Sequence, residues 1–101
     1  MSAIEITEQN FNSEVLTGGQ TVLLDFWAPW CGPCRMMSPV IDQVAEKHPE
    51  VKVGKINVDE QPNLAARFSV MSIPTLAVIK NGKTQATSVG VKPMEAVEAM
   101  L

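Results

Sequence analysis

The sequence predicts an α/β protein, a three-layer α/β/α sandwich in which four helices flank a mixed, five-stranded central sheet. Strand-like and helix-like segments alternate along the chain in the order β-α-β-α-β-α-β-β-α. The helical connections require parallel pairs of strands, and an Asn81-Gly82 turn near the C-terminus adds an antiparallel pair. Because the chain has 101 residues, we expect residues 1–101 to form one domain, without a separate substrate domain.

The first two elements are a strand and a short helix. Thr7 is the expected N-cap of this helix, because Ile6 before it and Phe11 after it have the spacing of a hydrophobic staple. Gly18-Gly19 should end the helix, since glycine readily adopts the backbone conformation that follows a helical C-terminus.

A buried central strand is predicted for residues 21–26, which are apolar or β-branched apart from Asp25. A helix then runs to about Lys47, with Pro39 inside it, where we expect a kink. The apolar residues of this helix share one face: Met37, Val40, Ile41, Val44 and Ala45.

The next strand is predicted at residues 51–58, and Asp59 is the expected N-cap of the helix that follows. Residues 75–79 and 84–89 flank Asn81-Gly82, a dipeptide typical of type I′ turns. These two strands should therefore form an antiparallel hairpin.

The last helix should begin at Pro93, after Gly90 has ended the hairpin. Four of its residues are expected to face inward: Met94, Val97, Met100 and Leu101.

Composition and charge argue against two kinds of partner. The net charge is -3 and the charges are interspersed, whereas nucleic-acid binding needs a clustered basic face. No apolar run is long enough to span a membrane. Residues 1–5 also lack the basic and apolar regions of a targeting signal, so we expect a cytoplasmic protein.

Two cysteines, Cys31 and Cys34, are the only ones in the chain. A zinc site needs about four ligands, and His48 is the only other good candidate, so we expect no metal site. An isolated Cys-x-x-Cys leaves a structural disulfide or half of a metal site as alternatives. Its place between a buried strand and a helix favours redox chemistry.

The start of a helix suits thiol chemistry for a physical reason. Unpaired backbone N–H groups and the positive end of the helix dipole stabilise a thiolate at Cys31, and the thiolate is the attacking species in disulfide exchange. Cys34 lies one turn further along the same face, so it can resolve a mixed disulfide formed at Cys31. Gly32 removes side-chain bulk between the thiols, and Pro33 stiffens the turn without costing a helical hydrogen bond.

Residues 26–36, Phe-Trp-Ala-Pro-Trp-Cys-Gly-Pro-Cys-Arg-Met, resemble the active-site segment of the thioredoxin family. The similarity continues through residues 55–59, 73–75, 80–82 and 89–90, in the same order along nearly the whole chain. The resemblance implies the thioredoxin fold and a general protein disulfide reductase, a thiol–disulfide oxidoreductase that carries electrons to target proteins.

The resemblance also implies partners. Thioredoxin reductase would restore the dithiol with electrons from NADPH, and disulfide-containing proteins would be the targets. The chain has no Gly-rich phosphate-binding motif, so we expect no bound cofactor besides the redox-active Cys31–Cys34 disulfide. We also expect a monomer.

Asp25 and Lys55 are the predicted supporting residues. A buried carboxyl group has a raised pKa and can exchange protons near neutral pH, although a solvated strand acid or a structural role is the alternative. The resemblance implies that Asp25 assists deprotonation of a less accessible Cys34, through water. It also places Lys55 near Asp25, where its charge would tune the carboxyl group; the alternative is an ordinary edge lysine.

A docking surface for substrates is predicted around Cys31. The resemblance implies a cis bond before Pro74, with the proline packed against the cysteines and the main chain of Ile73 open to an extended peptide. Without the resemblance, a trans loop proline would be the natural interpretation, and Trp30 could equally be a core residue. The predicted substrate-binding residues are Trp30, Gly32, Pro33, Ile73, Pro74, Gly90 and Val91.

Two other functions remain open from the sequence. One is an oxidase or isomerase on the same fold, although Gly32-Pro33 favours a reductant, because related oxidising proteins usually have His at the second intervening position. The other is a binding module whose thiols are incidental. Met71-Ser72 departs from the family pattern, in which a basic or small residue is often followed by Gly, and this puts partner preference in question.

Overall fold

The computed structural model describes residues 3–101. Met1 and Ser2, which belong to the segment predicted to lack a targeting signal, lie outside the described residues. The strands are β1 (Ile4–Glu5), β2 (Thr21–Trp27), β3 (Val51–Asn57), β4 (Thr75–Lys80) and β5 (Lys83–Val89). The helices are α1 (Gly32–Lys47), α2 (Pro62–Arg67) and α3 (Met94–Met100), and a π-helical segment covers Asn12–Leu16. The predicted order of strands and helices is confirmed.

The five strands form one mixed sheet, as predicted, and their order within it is β1-β3-β2-β4-β5. β3 pairs in parallel with β1 and β2, whereas β4 runs antiparallel to both β2 and β5. The expectation that every helical connection joins parallel strands is wrong for β3 and β4. α2 has six residues, or about 9 Å of helix, which is too short to carry the chain back along a seven-residue strand of about 23 Å.

Helices cover both faces of the sheet, which gives the predicted three layers. One face packs against the π-helical segment and α2, in a core that includes Phe11, Phe26 and Leu64. The other face packs against α1 and α3, through Ile41 and Val97 among others. The active-site helix α1 is therefore held against the sheet along its whole apolar face.

That apolar face of α1 agrees with the prediction. Met37, Ile41, Val44 and Ala45 are buried and Val40 packs against the same core. Pro39 lies inside the helix, and the kink expected there stays a prediction. Within residues 3–101, none of the helices combines the length and the apolar character that crossing a lipid bilayer requires.

The first helix differs from the prediction. Thr7 Oγ1 accepts a hydrogen bond from the Asn10 N–H at 3.3 Å, and Asn10 Oδ1 accepts one from the Thr7 N–H at 2.7 Å. This reciprocal pair closes a turn, and the residues after it are π-helical rather than α-helical. The expected staple is present, since Ile6 and Phe11 are both buried in one core.

The N-cap predicted at Asp59 is wrong. Asn57 Oδ1 accepts hydrogen bonds from the N–H groups of Asp59 and Glu60, at 2.9 and 3.4 Å, and so holds a separate turn after β3. α2 begins only at Pro62, after Gln61. Asp59 is thereby left free for a different contact, described below.

The hairpin between β4 and β5 is confirmed. Asn81 and Gly82 both have positive φ angles, 53° and 76°, as a type I′ turn requires, and Lys80 pairs with Lys83 across them.

Candidate active site

Cys31 and Cys34 form a disulfide bond at the N-terminus of α1, with their Cα atoms 5.2 Å apart. Cys31 is the N-cap residue, and its Sγ accepts a hydrogen bond from the Cys34 N–H at 3.2 Å. One of the N–H groups that the helix leaves unpaired is thus directed at this sulfur. In the reduced protein the same contact and the helix dipole stabilise negative charge on Cys31 Sγ.

Solvent accessibility does not distinguish the two cysteines, since each residue is 4% exposed. The expectation that Cys34 is less accessible than Cys31 is therefore not met when whole residues are compared. Their surroundings differ instead. Cys31 Sγ lies 3.8 Å from the Ile73 carbonyl oxygen, towards the surface loop before β4. Cys34 lines a partly open cavity that is also lined by Asp25.

Asp25 is buried in the centre of β2, with 2% of its surface exposed. Burial raises the pKa of its carboxyl group from 3.8 to about 6, against the opposing effect of the nearby Lys55 charge, while Asp42 adds a smaller upward contribution. Among the described residues its Oδ1 has no hydrogen-bond partner. The carboxyl group is therefore able to gain and lose a proton close to neutral pH.

Lys55 is the β3 residue paired with Asp25 in the parallel register. Its ammonium group reaches α1 rather than Asp25: Nζ donates to Ser38 Oγ at 2.9 Å and lies 3.6 Å from Asp42 Oδ1. Lys55 is therefore a neighbour of Asp25 in the sheet, and its charge acts on the Asp25 carboxyl group. The two side chains form no direct ion pair.

The cavity beside Cys34 has a volume of about 290 Å³. Its lining residues are Asp25, Trp27, Ala28, Pro29, Cys34, Arg35, Ser38 and Lys55. Such a volume accommodates several water molecules among polar groups.

The Ile73–Pro74 peptide bond is cis, as the resemblance implied. Pro74 is buried, and its carbonyl oxygen accepts a hydrogen bond from the Gly90 N–H at 2.8 Å. Ile73 packs against the cluster that contains both cysteines. In the described part of the chain, the Ile73 N–H and C=O have no backbone partner.

Comparison with known proteins agrees with this geometry. The family model described as Thioredoxin matches residues 2–101. Thioredoxin from Porphyra purpurea is 46% identical over 102 aligned positions, which cover 100% of this chain and 95% of the relative. Thioredoxin from Bacillus subtilis (strain 168) is also 46% identical, with 100% and 96% covered. The chain belongs to the thioredoxin family. Thioredoxin 1 from Synechococcus elongatus adds 48% identity over 92 positions, covering 90% of the chain and 86% of the relative.

Family membership and the Cys31–Cys34 disulfide together identify a thiol–disulfide oxidoreductase with the activity of a protein disulfide reductase. The redox-active disulfide is the working group, and the targets of the thioredoxin family are proteins that contain disulfides.

Exposed apolar side chains surround the thioredoxin motif. Trp30 is 67% exposed, and Val91 and Met71 are exposed as well. Trp30 therefore lies on the surface, where the sequence had left a core position open. Gly90 has a φ of 93°, which a residue with a side chain rarely adopts, so its backbone is open to close approach.

Three residues near the site were not found from the sequence. Asp59 accepts a hydrogen bond from the Trp30 indole N–H at 2.8 Å, and Ser38 accepts one from Lys55. The Arg35 guanidinium donates to the Pro29 carbonyl oxygen at 2.9 Å. The i,i+4 spacing of Cys34 and Ser38 along α1 is the signal that could have drawn attention to Ser38.

His48 is the C-cap residue of α1 and makes a contact with α3. It is partly buried, with Nε2 2.7 Å from Glu98 Oε2 on α3 and Nδ1 3.2 Å from Glu50 Oε2. Hydrogen bonds to Glu98 and Glu50 raise its pKa. Across residues 3–101, no group of three His, Cys, Asp or Glu side chains is arranged to hold a metal ion.

Proposed function

We propose that this chain reduces target proteins by attack of Cys31, resolution by Cys34 and proton transfer through Asp25, and that thioredoxin reductase returns the dithiol with electrons from NADPH. The observation that carries the proposal is the hydrogen bond from the Cys34 N–H to Cys31 Sγ at the start of α1. It supports Cys31 as the sulfur that bears negative charge.

The first step forms a mixed disulfide. The Cys31 thiolate attacks one sulfur of the target disulfide, a Cys31–target bond forms, and the other target sulfur leaves as a thiolate. The position of Cys31 Sγ beside the Ile73 carbonyl, on the loop side of the site, supports this role.

The second step releases the reduced target. Cys34 loses its proton and attacks Cys31 Sγ, which closes the intramolecular disulfide and expels the second target thiolate. Asp25 acts as the base for Cys34 and returns the proton to the departing thiolate by way of water in their shared cavity. A carboxyl group with a pKa of about 6 suits both directions of transfer at neutral pH. Lys55 tunes that pKa through its charge.

Target binding is proposed at the surface around Cys31. The Ile73 N–H and C=O, which have no backbone partners in the described chain, would pair with an extended target segment in the manner of an added strand. Trp30 and Val91 would supply apolar contact, and Gly90 would admit the target backbone. Pro74 holds the loop, Gly32 leaves the approach to the sulfur free of side-chain bulk, and Pro33 stiffens the turn.

The oligomeric state, location and nucleotide binding of the protein are also open to proposal. We propose that it is a monomer of one domain, that it works in the cytoplasm, and that it binds no nucleotide itself. A reducing compartment would keep the dithiol available to targets. Sedimentation of the reduced protein tests the monomer, because a dimer would have twice the 11.0 kDa mass of the chain.

A coupled assay tests the function. The protein is mixed with NADPH, thioredoxin reductase and a disulfide-containing protein, and consumption of NADPH is followed; turnover should depend on the protein and vanish in Cys31→Ser. Absence of turnover with several reductases and titratable thiols would contradict the proposal. Net oxidation of a reduced target by the disulfide form, in the absence of NADPH, would instead favour the oxidase alternative.

A further inference from the structure

Helix α1 carries three residues in one row beside the cavity, at intervals of four: Cys34, Ser38 and Asp42. Residues at this spacing lie above one another on a helix face. Cys34 and Ser38 both line the cavity that Asp25 lines, whereas Asp42 does not line it and has 59% of its side chain exposed.

Lys55 approaches this row from β3. Its Nζ donates to Ser38 Oγ at 2.9 Å, whereas the distance to Asp42 Oδ1 is 3.6 Å. A serine inside a helix commonly hydrogen-bonds to the backbone of the preceding turn, or points to solvent. Ser38 Oγ instead accepts a hydrogen bond from the Lys55 ammonium group, so this contact joins the active-site helix to the strand beside Asp25.

We propose that Ser38 is a positioning residue that holds the Lys55 ammonium group over the cavity shared by Asp25 and Cys34, and thereby controls proton transfer by Asp25. The proposal rests on the proposed role of Asp25 as the base for Cys34. Ser38 touches no reacting atom and acts only through Lys55.

A neutral hydroxyl is suited to this task because it adds no charge. The Lys55 charge lowers the pKa of Asp25, but the Asp42 charge raises it. If Lys55 were paired with Asp42 alone, its ammonium group would lie beside an anion that has the opposite effect on the pKa of Asp25. The pair would also lie at a solvated position, where ion pairs are weak and mobile. Ser38 fixes the ammonium group nearer the cavity without that opposing charge.

Among the neighbours of Asp25, Lys55 is the cation whose charge lowers the pKa of the carboxyl group. Arg35, which also lines the cavity from α1, donates to the Pro29 carbonyl oxygen at the rim. From β4, the residue opposite Asp25 is the apolar Leu76. The charged groups that act on the carboxyl group are therefore Lys55 on β3 and Asp42 on α1.

Ser38→Ala tests the proposal. Without the hydroxyl, Lys55 keeps only its contact with Asp42 and moves outward, so the pKa of Asp25 should rise by about 0.5. The Asp25 carboxyl carbon is titrated by NMR in the disulfide form, in which neither cysteine titrates. In the coupled assay, the acid limb of the pH–rate profile should move up by the same amount, with about a twofold lower rate at pH 6.

Two variants serve as controls. Ser38→Thr keeps a hydroxyl at the position and should restore the wild-type titration, whereas a purely structural effect of substitution would not be rescued. Ser13→Ala removes a helical serine whose Oγ donates to the Asn10 carbonyl oxygen, away from the cavity, and should leave the titration unchanged.

An unchanged or lowered pKa of Asp25 in Ser38→Ala would overturn the proposal. Failure of the proposed role of Asp25 is recognised separately. In that case the pH–rate profile would be the same in wild type and Asp25→Asn, whereas the NMR titration would still show the effect of Ser38→Ala on the pKa of Asp25.

Discussion

The Trp30 indole N–H donates a hydrogen bond to Asp59 Oδ2 at 2.8 Å, and this contact joins the turn before α1 to the turn after β3. Trp30 is 67% exposed, so little packing holds its indole ring in place. Its orientation beside Cys31 depends largely on an acid that is 29 residues away in sequence. The rigidity of the proposed docking surface thus depends on an electrostatic contact.

Asp59→Ala should therefore weaken target binding. Without its acceptor the Trp30 ring becomes mobile, and we expect KM for a disulfide-containing protein to rise about threefold with little change in kcat. Steady-state kinetics in the coupled assay measure both constants. Asp59→Asn retains an oxygen acceptor and should recover most of the loss; equal KM values in Asp59→Ala and wild type would refute the role of the contact.

Cys34→Ser should accumulate a mixed disulfide between Cys31 and target proteins. The resolving thiol is absent, while the helix N-terminus that stabilises the Cys31 thiolate is retained. Non-reducing electrophoresis and mass spectrometry of the cross-linked peptide identify the linked cysteine. Cys31→Ser is the matched control, and trapping through Cys34 in that variant alone would reverse the proposed roles.

Asp25→Asn should stabilise the disulfide form at neutral and alkaline pH. The pKa of Asp25 is about 6 in the folded protein and 3.8 in the reference state, so the folded state binds its proton more tightly. Stability is therefore lost as pH rises from about 4 to about 6, and the loss persists above that range. The difference in pKa corresponds to about 3 kcal/mol in the free energy of unfolding.

Urea unfolding of the wild type and Asp25→Asn at pH 8 and pH 3 measures this effect. The advantage of the variant should be up to about 3 kcal/mol at pH 8 and should shrink at pH 3, where the wild-type carboxyl group is protonated in both states. The same difference at both pH values would mean that ionisation of Asp25 does not cause it.

Gly54→Ala should destabilise the fold. A Cβ atom at Gly54 would lie 2.5 Å from Ile6 Cγ1 and 3.3 Å from Leu24 Cδ2, within the core between the sheet and the π-helical segment. Overpacking of this kind costs about 1–3 kcal/mol. In Gly18→Ala the nearest atom would be Lys52 Nζ at 3.6 Å, so that variant should unfold at nearly the wild-type urea concentration. Equal midpoints for both variants would show that the core adjusts at Gly54.

Local features were predictable from the sequence because neighbouring residues determine them. The turn at Asn81-Gly82 depends on two residues that tolerate positive φ, and the place of Cys31 at a helix start depends on the turn that follows it. The apolar face of α1 is likewise visible from helical periodicity, since Met37 and Ile41 recur at the helical interval.

Features that depend on competition between partners were harder to predict. Asp59 has the composition of an N-cap, but Asn57 occupies the N–H groups nearby and Trp30 takes the carboxylate. The direction of β4 depends on the position that the chain has reached at the end of the short α2, and no local sequence pattern predicts this direction. His48 is bound to Glu98, 50 residues further on, only because α1 and α3 pack together.

By itself, the sequence determined the order of strands and helices, the chemistry available at Cys31 and Cys34, and the family resemblance that indicated Asp25. The tertiary structure alone decided how that chemistry is controlled. It buries Asp25 in a cavity with Cys34 and extends Lys55 to Ser38, 17 residues away in sequence. The physical reason is that burial and electrostatic fields depend on distances in space, which the packing of α1 on the sheet creates.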